Sequence, residues 1–238
     1  MIHGLSSRAV LGILALMATG CADRGRTPDS REPEAYRPPV TYAANAVDGG
    51  SRMDGSVVIV TIDGVRWQEV FEGSDPQRGA VPPLPARALT PNLHTLGERW
   101  GAFVGAPGFG TISATGPNYI SQPGYEEILS GRFSRCETNK CPRTALPTFL
   151  DEARAAGAKV AAYASWERID YASTVAPGAF TVSCGRHGDE AIAPWPGEGD
   201  YRPDRFTSEA ALAYYAKERP QVFFLGLGDP DEHAHRGD

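Results

Sequence analysis

The sequence predicts an α/β fold with a mostly parallel central sheet flanked by helices on both faces. Four runs of apolar and β-branched residues, 57–62, 159–164, 180–183 and 221–227, have the composition of buried strands. Segments with helical periodicity separate them along the chain. Strands that alternate with helices in this way are typical of a parallel sheet that helices cover.

The clearest helix lies early in the domain. Segment 90–100 has Thr90 as its N-cap and a proline at the first helical position. It carries Leu93, Leu96 and Trp100 on one face, which predicts a packed amphipathic helix.

Other elements are assigned by the same patterns. Segment 65–71 predicts a short helix or loop, and Phe103–Val104 a short strand. Segment 146–156 predicts an amphipathic helix that leads into the second strand. A further helix is expected at 206–219, where a proline ends it before the last strand, with a packed stripe at Ala210, Leu212 and Tyr214.

The amino terminus predicts export. In residues 1–20 Arg8 is the one charged residue, and Ala9–Ala18 is an apolar core too short to span a bilayer, as in a signal peptide. The residues before Cys21 match a bacterial lipoprotein cleavage site. Cys21 is therefore expected to carry a lipid that anchors the protein to the membrane in the periplasm or cell envelope. A plain secretory signal with an incidental cysteine is the alternative.

The rest of the chain divides in two. Residues 21–55 begin with the cysteine and are rich in Pro, Arg, Asp and Gly without apolar periodicity, which predicts a disordered or extended tether. Residues 56–238 form one domain with room for a core.

Removal of Arg8 with the signal peptide moves the net charge from −6 to −7. An acidic chain argues against nucleic acid as a macromolecular partner.

Three cysteines remain in the domain. Cys136 and Cys141 lie in a polar loop, and an exported protein can oxidise them. The sequence favours a Cys136–Cys141 disulfide over a pairing with Cys184. Metal binding by the pair is disfavoured because no second Cys/His pair has a suitable spacing.

Asp63 directly follows the first strand. Ligands of open α/β sheets bind just outside the carboxyl ends of strands, so this carboxylate is a candidate metal ligand. An Asp-Gly turn without a functional role is the alternative.

Ser121 stands at the start of a helix that Gly131 and Arg132 close. Pro123 is tolerated there because first-turn N–H groups lack intrahelical partners, and these free N–H groups with the helix dipole attract an anion such as phosphate. The pattern predicts a nucleophile at a helix start. Ser121 as an ordinary helix cap is the alternative.

The loop after the last strand carries Asp231 and His235. If it turns helically, the carboxylate and the imidazole lie on one face, a spacing that suits a divalent cation. Asp229 and His233 have the same spacing and are either neighbouring partners of the ligands or plain loop residues.

Together these segments resemble motifs of the alkaline phosphatase superfamily, and most closely its phosphodiesterase/nucleotide pyrophosphatase and sulfatase-like branch. The resemblance extends from about Ser56 to the end of the chain. The motifs that carry it are Ile62-Asp63-Gly64, Ser121-x-Pro123 with Leu129-Ser-Gly131-Arg132, and Pro230-Asp231-x-x-x-His235.

The resemblance implies a chemistry. Two divalent metal ions, usually zinc, flank a Ser or Thr nucleophile in that family. It implies that Asp63 and Ser121 are ligands of one ion, and that Asp231 and His235 are two of the three ligands of the other. Ser121 would attack a small phosphoric mono- or diester, and the ions would stabilise the attacking and leaving oxygens.

Thr115 is a rival nucleophile, since Thr115-Gly-Pro-Asn resembles a pattern of the nucleotide pyrophosphatase branch. The family places its nucleophile ten residues before the glycine that closes the helix. This spacing matches Ser121 and Gly131, so Ser121 is favoured.

The family's remaining metal ligands, an Asp-His pair and a final His, come from later segments, whereas this chain stops at Asp238. Two protein ligands per ion are fewer than the about three of a catalytic zinc. The chain is therefore expected to be the N-terminal part of a longer protein, lacking the end of its domain and inactive by itself.

Two further functions remain open. A sulfatase of this fold modifies a Cys or Ser that has an arginine four positions later, where this chain has Tyr125, so modification is disfavoured. A non-catalytic envelope lipoprotein that keeps the fold is the other open function.

Three further residues are considered as site candidates. His94 and His187 are expected on the surface, and Trp166 either lines a substrate pocket or is structural.

Overall fold

The computed structural model describes residues 13–16, 55–78, 82–106, 108, 110–186 and 199–237. The predicted tether up to residue 54, including Cys21, lies outside these ranges, as does His187. The predicted signal peptide also lies outside them, apart from residues 13–16. Within the described ranges, no helix has the length and apolar character needed to cross a bilayer.

Strands and helices alternate along the chain. In order they are β1 (Ile13–Leu16), β2 (Val57–Ile62), α1 (Trp67–Phe71), a 3₁₀ turn (Pro76–Arg78), α2 (Ala86–Leu89), α3 (Pro91–Trp100), α4 (Ser121–Ser130), α5 (Phe149–Ala155), β3 (Val160–Ala164), α6 (Arg168–Ser173), β4 (Thr181–Cys184), α7 (Asp204–Glu218), β5 (Val222–Leu227) and α8 (Asp229–Arg236).

The sheet is parallel throughout, which confirms the predicted α/β class. Its order is β2-β5-β3-β4, and β1 adds a short fifth strand beside β2. Val222 of β5 pairs with Val57 on one side and with Val160 on the other. The carboxyl ends of β2, β5 and β3 therefore meet at one edge of the sheet.

Alternate side chains of β3 enter different apolar clusters, as the period of a strand requires. Ala162 and Ala164 pack with residues of α4, α5 and α6. Ala161 and Tyr163 pack with Phe223 and with Ala211 of α7. Burial of these side chains is the main stabilising contribution to the sheet.

A buried arginine holds the carboxyl ends of β3 and β4 together. Arg202 is fully buried and donates from Nη2 to the carbonyls of Ala164 at 3.1 Å and Ser183 at 2.8 Å. Burial lowers its pKa. It thereby fixes the chain next to Tyr201, which borders the cavity described below.

The helix at 90–100 is confirmed as α3, but its packed face is not the predicted one. Leu96 and Trp100 are 57 % and 72 % exposed. The predicted surface position of His94 is also wrong, because this side chain is buried and its Nε2 lies 2.8 Å from the Val70 carbonyl oxygen.

Phe103–Val104 forms no strand, contrary to expectation. The Phe103 ring instead packs against α3, where a Cβ on Gly97 would lie 2.3 Å from it. An aromatic ring close to a glycine of the helix takes the place of the predicted β pairing. Phe71 completes this contact edge-on, with ring centroids 5.7 Å apart.

Two other helices differ from expectation in detail. Helix α5 starts at Phe149, later than predicted, because Thr148 and Asp151 form a capping box that defines its first turn. In α7 the buried residues are Thr207 and Ala211, whereas Leu212 of the predicted stripe is 67 % exposed. The short helices α2 and α6 were not predicted.

The cysteines pair as expected. Cys136 and Cys141 form a disulfide with a Cα–Cα distance of 5.8 Å. Cys184 is a free thiol buried at the end of β4, where desolvation raises its pKa. The alternative pairing with Cys184 does not occur.

Candidate functional site

Strands β2 and β5 bring two of the predicted site segments side by side. Ile62 pairs with Leu227, and the Asp63 N–H donates to the Leu227 carbonyl at 2.9 Å. The ladder thus continues one residue past β2. Asp63, which is 5 % exposed, lies at the sheet edge next to the start of α8.

Gly64 allows the Asp63 and Asp231 segments to approach each other. It has φ +78°, and a Cβ at this position would lie 2.4 Å from the Asp231 nitrogen and 2.5 Å from its Cα. The Gly64 N–H also donates to Asp63 Oδ1 at 3.0 Å, which orients that carboxylate. Glycine is required here both by the backbone conformation and by the close contact.

The last segment does turn helically, as α8. His235 Nε2 lies 3.5 Å from Asp231 Oδ2, and the two side chains are 71 % and 25 % exposed. The imidazole therefore lies at the rim and the carboxylate deeper in the site. In the rival pair, Asp229 is bound to a tyrosine and to α7. Asp231 and His235 belong to the described lining of the cavity discussed below, whereas Asp229 and His233 do not.

Two carboxylates connect α7 with α8, an arrangement that sequence analysis did not predict. Asp204 accepts the N–H groups of Gly228 at 2.8 Å and Asp229 at 2.9 Å. Asp229 accepts the Asp204 N–H at 3.0 Å and the Tyr201 hydroxyl. Each carboxylate caps the helix to which the other belongs. This reciprocal capping sets the direction in which α8, and with it Asp231, leaves the sheet.

Ser121 is the first residue of α4 and is 8 % exposed. The expectation of several free N–H groups at this helix start is wrong. Asn139 Oδ1 accepts the Gln122 N–H at 2.9 Å, and Pro123 has no N–H. Among the described residues, only the N–H of Ser121 itself is left to bind an anion in this turn. No hydrogen bond within the described ranges engages the Ser121 hydroxyl.

Thr115, the rival nucleophile, lies elsewhere. It is exposed, and its hydroxyl donates to Glu127 Oε2 at 2.7 Å. It is absent from the described lining of the cavity that Ser121 borders. The geometry therefore favours Ser121.

A cavity of about 340 Å³ opens at this edge of the sheet. All four predicted site residues line it: Asp63, Ser121, Asp231 and His235. Trp166 also lies on its wall, which was one of its two predicted positions, and the indole N–H donates to Asp200 at 3.0 Å. The lining also includes four residues with polar side chains that sequence analysis missed as site residues: Tyr125, Asn139, Tyr201 and Glu232.

The cavity is acidic. Asp63, Asp231 and Glu232 contribute carboxylates, and its described lining includes no lysine or arginine. Burial raises the pKa of Tyr125, and the nearby Asp63 raises it further. Burial likewise raises the pKa of Tyr201, with the hydrogen bond to a carboxylate as the next cause. Both phenols therefore stay protonated at neutral pH and can donate hydrogen bonds but cannot act as bases.

The lining matches a divalent cation in donor type. Two carboxylates, an imidazole and a hydroxyl are the oxygen and nitrogen ligands that zinc and related ions take. In the part of the chain that the structure describes, however, no group of three or more His, Cys, Asp or Glu side chains is arranged to hold a metal ion. The described residues thus supply the kind of ligand but fewer than the about three of a catalytic zinc site.

Comparisons with known proteins identify no relative. No protein-family model matches the chain, and neither a curated protein nor a solved structure matches it. A functional assignment therefore depends on the residues and the geometry of the cavity.

Proposed function

We propose that this chain belongs to a metal-dependent hydrolase of phosphoric mono- or diesters, of the alkaline phosphatase superfamily, with Ser121 as nucleophile. The observation that carries the proposal is that Asp63, Ser121, Asp231 and His235 line one cavity. These residues come from the end of β2, the start of α4 and helix α8, three elements that are far apart in the sequence. Unrelated turn and cap residues would have no reason to converge.

The charge of the cavity supports a cation-dependent reaction. Two like unit charges 4 Å apart repel by about 4 kcal/mol at an effective dielectric constant of 20. Three carboxylates would therefore exclude an anionic phosphate ester from the empty cavity. A phosphate substrate becomes acceptable only when positive charge offsets these carboxylates.

Asp63 and Ser121 would hold one divalent cation, and Asp231 and His235 a second, with zinc favoured by the donor set. Bound there, such ions lower the pKa of a coordinated hydroxyl and stabilise the attacking and leaving oxygens of an in-line displacement. The chain itself contributes the position of the Ser121 hydroxyl at the first turn of α4. The helix dipole and the Ser121 N–H favour negative charge at that point.

We also infer that helices cover both faces of the sheet, as in that superfamily. Alternate residues of β3 enter one cluster with α4, α5 and α6 and another with α7, which supports two covered faces.

Export and anchoring through Cys21 belong to the same proposal. The Cys136–Cys141 disulfide supports it, because such bonds persist in oxidising compartments. Mass spectrometry of the membrane fraction should find a lipid on Cys21, and a Cys21→Ser variant should be released in soluble form. An unmodified cysteine on a membrane-free protein would contradict the anchor.

Hydrolysis of p-nitrophenyl phosphate and bis(p-nitrophenyl) phosphate by the full-length protein, with added Zn²⁺, tests the enzyme proposal. Ser121→Ala should reduce product release to background. Thr115→Ala is the matched control and should retain it, since that hydroxyl is bound to Glu127 outside the cavity lining. Equal rates of hydrolysis for the wild type and Ser121→Ala would exclude Ser121 as the nucleophile. Absence of Zn²⁺-dependent hydrolysis by the wild type would overturn the proposal.

A non-catalytic lipoprotein is the second candidate, because no three-ligand group occurs among the described residues. The zinc content per chain distinguishes the two. Occupancy near two ions supports the enzyme, and occupancy near zero supports the inert form. A sulfatase would require formylglycine at Ser121, which the mass of the tryptic peptide would reveal.

A further inference from the structure

The loop closed by the Cys136–Cys141 disulfide contacts the start of α4. Asn139 Oδ1 accepts the main-chain N–H of Gln122 at 2.9 Å. The Cys141 carbonyl accepts from Gln122 Nε2 at 3.1 Å. Gln122 is fully buried and follows Ser121 directly. One short loop thus holds both the backbone and the side chain of the residue beside the proposed nucleophile.

Arg168 of α6 supports the same residue from another side. Its guanidinium donates to Gln122 Oε1 from Nε at 3.2 Å and from Nη2 at 3.1 Å, and it also donates to the Cys141 carbonyl. The guanidinium lies 4.1 Å from the centroid of the Tyr171 ring. The Gln122 side chain therefore has two supports, whereas its main-chain N–H has Asn139 alone among the described residues.

We propose that the disulfide loop supplies the cap that α4 lacks in its own sequence, and that Asn139 is a positioning residue for Ser121. The residue at the N-cap is Ile120, which has no side-chain acceptor. A helix start without a cap frays, and a cap is worth a substantial part of the stability of the first turn. Asn139 acts through the Gln122 N–H and keeps Ser121 at the cavity wall. The importance of this position rests on the proposed role of Ser121 as nucleophile.

The disulfide makes this cap conditional on oxidation. Residues 137–140 are exposed and belong to no helix or strand. At one end of the loop, the Cys136 N–H donates to Ser134 Oγ at 3.0 Å, and that hydroxyl donates to Glu126 of α4 at 2.6 Å. The disulfide brings the other end back to this anchored point. When it is reduced, the loop is less constrained, and the effective concentration of Asn139 at Gln122 falls. Reduction should therefore weaken the Asn139 cap, while Arg168 still holds the Gln122 side chain.

Amide hydrogen exchange at Gln122, followed by NMR on the oxidised chain, measures the cap without any need for activity. Asn139→Ala should speed exchange of this amide about tenfold or more, the equivalent of one lost cap. Reduction with a phosphine should have the same effect. Asn139→Asp keeps the acceptor oxygen and should retain the protection. Lys140→Ala is the matched control, because Lys140 is an exposed residue of the same loop whose side chain makes no hydrogen bond or ion pair with a described residue.

Kinetics of the full-length protein with p-nitrophenyl phosphate and Zn²⁺ then test positioning. Asn139→Ala should lower kcat about tenfold with KM unchanged, the pattern of an interaction that acts on the reacting group. A raised KM with unchanged kcat would make Asn139 a substrate-binding group and would overturn the positioning role. Unchanged Gln122 exchange in Asn139→Ala and in the reduced protein would overturn the inference whatever the activity. If the wild type hydrolyses no ester, the proposed function fails, and the exchange rates alone decide whether the loop caps α4.

Discussion

Replacement of Gly64 by alanine tests the contact between the Asp63 and Asp231 segments. The new Cβ would lie 2.4 Å from the Asp231 nitrogen and 2.5 Å from its Cα, both backbone atoms that cannot rotate away. The φ of +78° adds backbone strain. We expect about 1–2 kcal/mol from the left-handed conformation of a non-glycine residue and about 1–3 kcal/mol from overpacking.

Gly178 provides a matched control. It has the same φ of +78°, and a Cβ there meets no atom within 4 Å. Gly178→Ala should therefore show only the conformational cost, about 1–2 kcal/mol. The difference in the free energy of unfolding between the two variants therefore measures the cost of the close contact with Asp231.

Urea unfolding with linear extrapolation gives both free energies of unfolding. Gly64→Ala should lower the free energy of unfolding more than Gly178→Ala does, and it alone should weaken Zn²⁺ binding, because it displaces Asp231 from Asp63. Equal destabilisation by the two substitutions, with equal Zn²⁺ affinity, would refute the described approach of α8 to the end of β2.

Three further predictions concern binding, reactivity and pH. His235→Ala should weaken Zn²⁺ binding at least about tenfold in calorimetry, whereas His233→Ala on the same helix should not. An equal loss of Zn²⁺ affinity in the two variants would show that His235 is not a metal ligand. Iodoacetamide should leave Cys184 unlabelled in the native oxidised domain, because the thiol is buried and its pKa is raised, and rapid labelling without denaturant would contradict this burial. Desolvation raises the pKa of Asp204 above its usual value of 3.8. At pH values between the pKa of the unfolded state and that of the native state, the native state therefore binds more protons, and stability falls as pH rises. The stability of the wild type relative to Asp204→Asn should therefore increase as pH falls from 7 to 4, as urea unfolding would show, and a decrease would refute the direction of the shift.

Local sequence was sufficient for most strands and for several helices. The run Val57–Ile62 is apolar or β-branched throughout and occurs as β2. The segment predicted at 90–100 occurs as α3, although the Thr90 hydroxyl donates to the Ala86 carbonyl and does not cap the helix. The spacing of Asp231 and His235 placed them on one helical face because that relation depends only on the period of the helix. Such features involve residues that are close in the chain.

Burial was harder to predict than secondary structure. Leu96 and Trp100 have the right spacing for a packed face but stay exposed, while His94 is buried against Val70. The face that a helix buries depends on what packs against it, here Phe103 from an irregular segment. No pattern within the helix itself carries that information.

By itself, the sequence determined the α/β class, the position of Asp63 at a strand end, the start of α4 at Ser121 and the four-residue spacing of the α8 pair. Each follows from propensity, from a proline that is tolerated in the first turn of a helix, or from period, over a few neighbouring residues. Only the tertiary structure decided that β5 lies between β2 and β3, that Asn139 caps the helix of Ser121, and that these residues share one cavity. Those relations join segments that are distant in the chain, and the packing of the sheet, rather than any local preference, selects which distant segments meet.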